Sequence, residues 1–397
     1  MNGCSRSIYA YPWDVAERGV DAFAGEALER GLNGVTLAAA YHAGKFLRPQ
    51  AARVVFPEDG VSYFEPSREY GTLKPAPHSD PALRRVFSEL ARDGRLAVHA
   101  WTVLLHNTRL GSLHPECTVR NAFGDGYVYS LCPSHPEVFR YALTLALDAG
   151  AQGVQSLVLE TPGWLPYAHG YHHEFAQLRS NVWLDTMLGL CFCDACKAGA
   201  RDAGIDGAGL QARIGGRVRA YLHAPVDAQG TQAEAWLAAD LLEDDELAAY
   251  VRMRQSRVTE LVAAIRAALP REVALSVIPT TQRPTAQSWI EGSDLAALAR
   301  AADFIEVPFY EPDAARVLAD AFDTLRRVGG SDAASRVRAI LRPGPPDLGD
   351  GAQLPQALAG LAALGIRDFA FYNYGLLRSA NLDAMGHALK AHTREHA

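Results

Sequence analysis

Short apolar runs alternate with longer stretches of helical periodicity along most of this chain. In the helical stretches apolar residues recur three or four positions apart, as at Leu83, Val86, Phe87 and Leu90. The short runs are rich in β-branched and aromatic residues and are flanked by turn-forming residues, which is typical of buried strands. Eight such runs occur, at residues 8–13, 34–40, 96–105, 154–159, 273–278, 304–309, 337–341 and 369–372.

Each of the eight predicted strands is followed by a predicted helix. This count favours a closed parallel (β/α)8 barrel, the TIM-barrel fold. A doubly wound open sheet would show the same alternation and stays as the alternative. No Gly-rich dinucleotide-binding fingerprint follows any of the strands, which weakens that alternative. We therefore predict an α/β fold in which residues 1–397 form a single TIM-barrel domain.

Three connections are much longer than ordinary loops, at about residues 41–80, 107–131 and 161–270. The third follows the predicted fourth strand and contains a helical pattern over residues 233–269, which indicates a helical insertion. In a TIM barrel the connections that follow the strands lie at the face where active sites are built. The long connections therefore point to an elaborated site at that face.

Charge and hydropathy narrow the classes of partner. The formal net charge is -7 and no basic block occurs, so we expect no nucleic-acid partner, because phosphate binding needs clustered Lys and Arg. No apolar stretch approaches the roughly 20 residues of a membrane helix. Residues 1–7 lack the apolar core of a secretory signal, so we expect a cytoplasmic protein with no membrane partner. The sequence leaves open whether the chain forms a homo-oligomer.

Three of the six cysteines lie in the segment Cys191-Phe192-Cys193-Asp194-Ala195-Cys196. Thiolates at this spacing can surround one tetrahedral zinc ion, and a fourth ligand would close the site. Cys132 is the first candidate for that ligand and Cys117 the second. We predict a structural zinc ion and no organic cofactor, with the ligands Cys132, Cys191, Cys193 and Cys196. The alternative is three free buried cysteines near the start of a helix.

Three features along the chain together resemble the zinc-cluster β-galactosidases of glycoside hydrolase family 42. They are residues 129–136, which contain Cys132-Pro133, then Glu160 at the end of the fourth predicted strand, and then the cysteine segment. The resemblance covers about residues 129–197 and the barrel layout. It implies a TIM-barrel glycosidase with a structural zinc ion, and an acid/base role for Glu160.

The chain also departs from that family at two places. The family has Asn-Glu at the end of the fourth strand, where this chain has Leu159-Glu160. The family places a nucleophilic glutamate at the end of the seventh strand, and residues 339–344 contain no carboxylate. The resemblance therefore implies neither β-galactosidase activity nor the family's retaining pair of carboxylates.

Polar and aromatic residues gather where the predicted strands end. Aromatic rings can stack on the C–H faces of sugar rings, while carboxylates, amides and guanidinium groups can bind hydroxyls. Several aromatic residues have an equally good interpretation as core residues. Tyr41, His169, Arg283 and Tyr372 also lie at strand ends or in the loops that follow. We predict a carbohydrate-binding set of Tyr11, Trp13, Asp14, His42, His99, Trp101, Trp164, His172, Tyr310, Glu311, Arg342 and Asn373.

Two carboxylates are the candidates for catalysis of glycosidic-bond cleavage, which requires a pair of them. Glu160 ends an apolar strand, and an apolar setting raises the pKa of a carboxyl group as a general acid requires. Glu306 lies within the apolar run Ile305-Glu306-Val307, where a charge must be paired or functional. The simpler interpretations are a loop-capping carboxylate for Glu160 and a buried ion pair, with Arg342 as partner, for Glu306.

Two other functions remain open. His42, His99 and His106 could bind a catalytic metal together with Glu160, which would indicate a lyase or isomerase acting on a sugar or sugar acid. A non-catalytic carbohydrate-binding barrel is the second alternative, because the family's seventh-strand glutamate is absent. Glycoside hydrolysis is the function that the sequence favours.

Overall fold

The computed structural model describes residues 4–170 and 176–395. Eight parallel strands form a closed ring, in which the first strand pairs with both the second and the eighth. This ring confirms the TIM-barrel prediction, whereas an open sheet would leave two unpaired edges. The strands are β1 (Arg6–Ala10), β2 (Gly34–Tyr41), β3 (Ala97–Val103), β4 (Ser156–Glu160), β5 (Ala274–Val277), β6 (Phe304–Pro308), β7 (Val337–Leu341) and β8 (Asp368–Phe371).

Helices follow the strands and cover the outer face of the ring. Their ends carry local signals: Asp80 accepts a hydrogen bond from the backbone N–H of Ala82 and Pro81 is the first helical residue, both of which favour a helix start. The helices are α1 (Pro12–Arg18), α2 (Val20–Glu29), α3 (Pro81–Asp93), α4 (Thr108–Leu113), α5 (Pro136–Gly150), α6 (Val182–Gly189), α7 (Asp194–Asp202), α8 (Gly207–His223), α9 (Thr231–Glu243), α10 (Asp245–Ala268), α11 (Leu295–Ala301), α12 (Ala314–Val328), α13 (Leu354–Ala363) and α14 (Ser379–Glu395). None of the described helices is long and apolar enough to cross a membrane.

Two predicted elements differ from the structure by more than a shift of one or two residues in their bounds. The first strand stops at Ala10 and Pro12 begins α1, because proline fits the first turn of a helix and cannot continue a strand ladder. The single helix predicted over residues 233–269 is two helices, α9 and α10. Asp244 separates them: its side chain accepts a hydrogen bond from the backbone N–H of Leu247 and caps the second helix.

The three long connections each contain secondary structure. The first holds the ribbon Phe46–Arg48 with Arg53–Val55, and Val61–Ser62, which pairs with β2 and with Ala76–Pro77. The second holds α4 and the antiparallel pair Thr118–Arg120 with Gly126–Leu131. The third, after β4, holds α6 to α10 and is the predicted helical insertion. The assignment of the whole chain to one domain stays a prediction.

The interior of the barrel is polar in its lower half. Successive strand residues face alternately inward and outward, so His99, Glu306 and Arg338 belong to the inner set. His99 Nδ1 lies 2.7 Å from Ser156 Oγ, and Arg338 donates a hydrogen bond to Ser276 Oγ. The inner residues nearer the C-terminal ends of the strands include aromatic side chains. The cavity that could hold a ligand lies among them, at this upper end of the barrel.

Candidate active site

A cavity of about 230 Å³ opens at the C-terminal ends of the barrel strands. Its walls combine aromatic rings, two arginines and one described carboxylate, which is the composition expected of a sugar site. The residues that line it are Tyr9, Tyr41, Trp101, Glu160, His169, Ile278, Thr280, Thr281, Arg283, Pro308, Tyr310, Ile340, Arg342 and Tyr372.

A larger groove of about 530 Å³ lies elsewhere, on the outer face among the helices. Leu241, Arg252, Trp289 and Arg327 are among its lining residues. Catalytic residues of TIM barrels come from the C-terminal strand ends, and none of those ends reaches this groove. We therefore place the candidate site in the smaller cavity.

Glu160 is the carboxylate of the cavity. It is the last residue of β4, and Trp101 on the adjacent β3 donates its indole N–H to the Glu160 carboxylate. Burial raises the pKa of Glu160 to about 7, which the Trp101 hydrogen bond opposes and the nearby Glu291 reinforces. At neutral pH the Glu160 side chain is therefore protonated in a large share of the molecules.

Glu291 is buried directly behind the cavity wall. Its Oε1 accepts hydrogen bonds from the Thr280 hydroxyl and from both the backbone N–H and the hydroxyl of Thr281, at 2.8 to 2.9 Å. Burial raises the pKa of Glu291 to about 7 despite these donors. Two carboxyl groups that titrate near neutrality therefore lie close together, which is typical of functional sites.

Glu306 does not line the cavity. It is fully buried on β6, and Tyr9, a residue that lines the cavity, donates a hydrogen bond of 2.7 Å from its hydroxyl to Glu306 Oε1. Arg338 on β7 lies 3.8 Å from the other oxygen, so the partner is Arg338 and not the predicted Arg342. Burial raises the pKa of Glu306, which Arg338 and Tyr9 partly offset. The structure therefore places Glu160 at the cavity, whereas Glu306 lies behind it and contacts the lining residue Tyr9.

Two arginines flank one tyrosine ring at the cavity. The guanidinium carbon of Arg342 lies 4.3 Å from the centre of the Tyr310 ring, and that of Arg283 lies 4.9 Å from it. Arg342 also forms a salt bridge of 3.0 Å with the buried Asp347, and Arg283 donates to the Tyr310 carbonyl oxygen. Tyr310 and Arg342, both predicted from the sequence, thus lie together in the cavity wall.

Three predicted residues near β1 lie behind the cavity wall. Tyr11 is buried and hydrogen-bonds through its hydroxyl to the hydroxyls of Tyr41 and Tyr372, which do line the cavity. Trp13 stacks on Tyr11 with ring centres 4.4 Å apart. Asp14 is buried in a salt bridge with Arg48 at 2.9 Å. These three residues support the wall.

The structure also separates several other predicted residues from the cavity. His42 stacks on His106 with ring centres 3.9 Å apart, while His99 lies lower in the barrel, where burial lowers its pKa to about 3. The proposed metal set of His42, His99, His106 and Glu160 therefore does not converge on one point. Trp164 packs under Arg254, and Glu311 does not line the cavity. Asn373 is buried, and its side-chain oxygen accepts a hydrogen bond from the backbone N–H of Gly375. His172 lies outside the described residues.

The predicted set did not include several residues that line the cavity. Tyr41, His169, Arg283 and Tyr372 follow strand ends, and only tertiary structure selects them among their neighbours. Tyr9 lies within β1, two positions before Tyr11, and strand alternation places both on the inner face. Thr280 and Thr281 carry no sequence signal beyond their position after β5.

The four predicted zinc ligands lie together. The Sγ atom of Cys132 is 3.4, 3.6 and 3.8 Å from those of Cys196, Cys193 and Cys191, and all four side chains are buried. Sulfurs at about 2.3 Å from one tetrahedral ion would be roughly 3.8 Å apart, so the spacing fits a zinc ion. Cys117, the second candidate, lies outside the group with its Sγ atom 3.7 Å from His135 Nδ1.

Comparisons with known proteins agree with the fold. The glycoside hydrolase domain of PgaB (BpsB) from Bordetella bronchiseptica is similar over 98% of this chain and 99% of its own length, with a TM-score of 0.64 and 13% identity. Alpha-L-fucosidase isoenzyme 2 from Paenibacillus thiaminolyticus is similar over 99% of this chain and 50% of its own length, with a TM-score of 0.55 and 13% identity. No protein-family model and no curated protein matches the sequence. At this identity the likeness shows a shared barrel fold.

Proposed function

We propose that this protein is a glycoside hydrolase and that the cavity at the strand ends binds the sugar at which the bond is cleaved. The observation that carries the proposal is Glu160, a cavity-lining carboxyl group whose pKa is raised to about 7. A general acid must hold its proton at the working pH, and this carboxyl group does so near neutrality. The fold shared with a glycoside hydrolase domain and a fucosidase is consistent with this function.

Glu160 is proposed to protonate the leaving-group oxygen as the glycosidic bond breaks. Trp101 would hold the carboxyl group toward the cavity by its indole N–H. Aromatic side chains on either side, including Tyr41 and Tyr372, offer faces for the C–H groups of a sugar ring. The family 42-like assignment rests on the cysteine cluster and the position of Glu160, and does not extend to β-galactosidase activity.

The second candidate carboxylate, Glu306, is proposed to act through Tyr9. Some glycosidases use tyrosine in place of a carboxylate as nucleophile. Here the Tyr9 oxygen would bond to the anomeric carbon while its proton passes to Glu306 and the leaving group takes the proton of Glu160. Water, deprotonated by Glu160, would then release the sugar, and Glu306 would return its proton to Tyr9. This cycle balances protons and regenerates both groups.

A panel of nitrophenyl glycosides tests this proposal with wild type, Glu160→Gln, Glu306→Gln and Tyr9→Phe. We expect each variant to lower kcat by roughly 100-fold or more, because each removes a group that transfers a proton or forms a bond. Glu160→Gln should lose least on dinitrophenyl glycosides, whose leaving groups need little protonation. Glu234→Gln, at an exposed position of α9, is the matched control.

Two outcomes would contradict parts of the proposal. Full activity of Glu160→Gln on every substrate that the wild type cleaves would remove Glu160 as the acid. Sugar binding without hydrolysis of any glycoside would favour the non-catalytic carbohydrate-binding barrel. A metal-dependent lyase or isomerase receives no support from the positions of His42, His99 and His106.

We also propose that Cys132, Cys191, Cys193 and Cys196 hold a zinc ion. The support is the spacing of the four sulfur atoms and their burial. Four thiolates leave no open position for substrate, so the role would be structural. The ion would join the loop before α5, which carries Cys132, to the start of α7, which carries Cys196.

A further inference from the structure

We propose that the sugar bound in the cavity carries a carboxylate, which Arg283 and Arg342 bind. This inference rests on the proposed function, because it names the substrate class of the same site. It assigns a purpose to the two guanidinium groups, which the hydrolysis of a neutral sugar does not require. The predicted substrate class is a glycoside of an acidic sugar, such as a hexuronic acid.

The first observation is the convergence of two like charges. Arg342 follows β7 directly and Arg283 follows β5, so two separate elements deliver a guanidinium group to the same Tyr310 ring. Partial burial lowers the pKa of Arg283, and the nearby Arg342 lowers it further. Bringing two cations together costs free energy, and an anion placed between them offsets that cost. Arg–carboxylate pairs are often bidentate, which gives geometric selectivity as well as affinity.

The second observation is the local balance of charge. Asp347 pairs with Arg342, whereas Arg283 forms no salt bridge with a carboxylate among the described residues. Glu160, the carboxyl group of the same cavity, has a pKa of about 7, so about half of it is protonated at neutral pH and most of it below neutral pH. The residues that line the cavity therefore include two guanidinium groups and one carboxyl group, although the chain as a whole carries a net charge of -7; Asp347 and Glu311, which also interact with the charge of Arg283, lie outside the lining. A local excess against the overall sign indicates an anionic ligand.

The third observation is that Glu160 is the one acidic residue among the described residues that line the cavity. Glu306 is covered by the Tyr9 hydroxyl, and Asp347 is bound to Arg342. A neutral tyrosine nucleophile can approach the anomeric carbon of an anionic sugar without charge repulsion. The cavity of about 230 Å³ is smaller than the roughly 300 Å³ at which drug-sized ligand pockets begin, so one sugar ring suits it.

Calorimetric titration with pairs of methyl glycosides tests the inference without requiring turnover. Each pair consists of a hexuronide and the hexoside of the same configuration, in the gluco, galacto and manno series. We expect one hexuronide to bind at least 10-fold more tightly than its neutral partner, and added salt to weaken only the former. Matched nitrophenyl hexuronides and hexosides extend the comparison to kcat/KM.

Variants of Arg283 and Arg342 test whether these two residues bind the carboxylate of the sugar. Arg283→Gln and Arg342→Gln should each lower affinity for the hexuronide by roughly 10- to 100-fold, the effect of losing a hydrogen bond to a charged group. Affinity for the neutral partner should change by less than about threefold. Arg342→Lys should recover only part of the loss, because lysine lacks the planar fork. Arg326→Gln, on the exposed face of α12, is the control, and Arg342→Gln/Asp347→Asn tests whether an unpaired Asp347 causes the loss.

The outcomes separate this inference from the proposed function. Hydrolysis of neutral hexosides with no preference for hexuronides would overturn the inference and keep the glycosidase. Tight, arginine-dependent binding of a hexuronide with no hydrolysis of any glycoside would keep the acidic ligand and overturn the glycosidase. Binding of a sulfated hexoside but of no hexuronide would also overturn the carboxylate assignment.

Discussion

At the scale of single residues, burial and one neighbouring group give Glu160 and Glu306 different roles. Glu160 meets the cavity and the Trp101 indole N–H, so it can exchange a proton with a ligand. Glu306 is buried against Tyr9, Arg338 and Ser276, and of these three residues only Tyr9 lines the cavity, so the proposed proton transfer runs through Tyr9. Both carboxyl groups have a raised pKa because burial disfavours the charged form.

The pH dependence of activity should report the pKa of Glu160. A general acid works only while protonated, so kcat/KM should fall as pH rises through about 7. Glu291→Gln removes a nearby negative charge, which should lower the pKa of Glu160 and move this alkaline limb to lower pH. Profiles of kcat/KM between pH 4 and 10 measure the shift. An alkaline limb that stays in place in Glu291→Gln would contradict the electrostatic coupling of the two groups.

The stability of the fold should also depend on pH through the ionisation of Glu160. The folded pKa of Glu160 is about 7 and the unfolded value is roughly 4.3, so the folded state favours the protonated form. The contribution of Glu160 to stability is therefore present below about pH 4.3 and is lost as pH rises through 7. Glu160→Gln does not titrate and its amide oxygen can still accept the Trp101 N–H.

Urea unfolding of wild type and Glu160→Gln at pH 5 and pH 8 measures this effect. We expect the variant to gain about 2 kcal/mol over wild type between pH 5 and pH 8, given that one pKa unit corresponds to about 1.4 kcal/mol. Glu234→Gln, whose side chain is exposed, should show no such gain. A difference between variant and wild type that is equal at both pH values would rule out the titration of Glu160 as its cause.

At the scale of elements, the cysteine cluster connects the insertion to the barrel. Cys132 precedes α5, which packs against the barrel. Cys191 and Cys193 lie between α6 and α7 of the insertion, and Cys196 lies in the first turn of α7. The backbone N–H of Arg120 points to Cys191 Sγ, so the hairpin of the second connection also contacts the cluster. Arg254 of α10 lies over Trp164 and donates to the carbonyl oxygen of Ile290, beside Glu291. The insertion thus supports the back of the cavity.

Loss of the proposed zinc ion should destabilise these elements together. We expect about one zinc per chain by elemental analysis, and Cys132→Ser should lose the metal and unfold at a markedly lower temperature, because metal binding contributes folding free energy. Cys117→Ser is the matched control: Cys117 is also buried but lies outside the cluster, so it should keep the zinc. Less than about 0.2 zinc per chain in protein purified without chelator would contradict the site.

At the scale of the whole molecule, closure of the barrel brings the site residues together. Residues 9, 160, 283 and 342 come from four different strands or the connections that follow them. In a ring each strand end faces the same central space, whereas in an open sheet β1 and β8 would be far apart. The pairing of β1 with both β2 and β8 is therefore the contact on which the cavity depends.

Amide hydrogen exchange tests this closure. Successive N–H groups of a strand point to opposite neighbours, so a strand paired on both sides protects them all. We expect consecutive amides of β1, from Ser7 to Ala10, to exchange slowly in the native protein. The amides of the exposed ribbon strand Arg53–Val55 serve as the internal comparison and should exchange faster. Fast exchange of every second β1 amide would indicate an open edge.

The sequence by itself determined the barrel fold and the cluster of four cysteines. The strand over residues 337–341 was predicted with the bounds that β7 has in the structure, because a buried strand has a local pattern of apolar residues. The cysteine set followed from spacing in a Cys-poor chain, and Glu160 and Arg342 followed from their places at strand ends. These signals are local, so they can be read without coordinates.

The tertiary structure decided which strand-end residues share a cavity. His99 and Arg342 both belong to predicted strands or their ends, yet His99 lies in the lower interior and Arg342 lines the cavity. The fact that Tyr9 and not Glu306 lines the cavity also depends on how β1 and β6 face each other across the ring. Such contacts join residues about 300 positions apart, and their geometry is set by ring closure and side-chain packing, for which no local pattern exists.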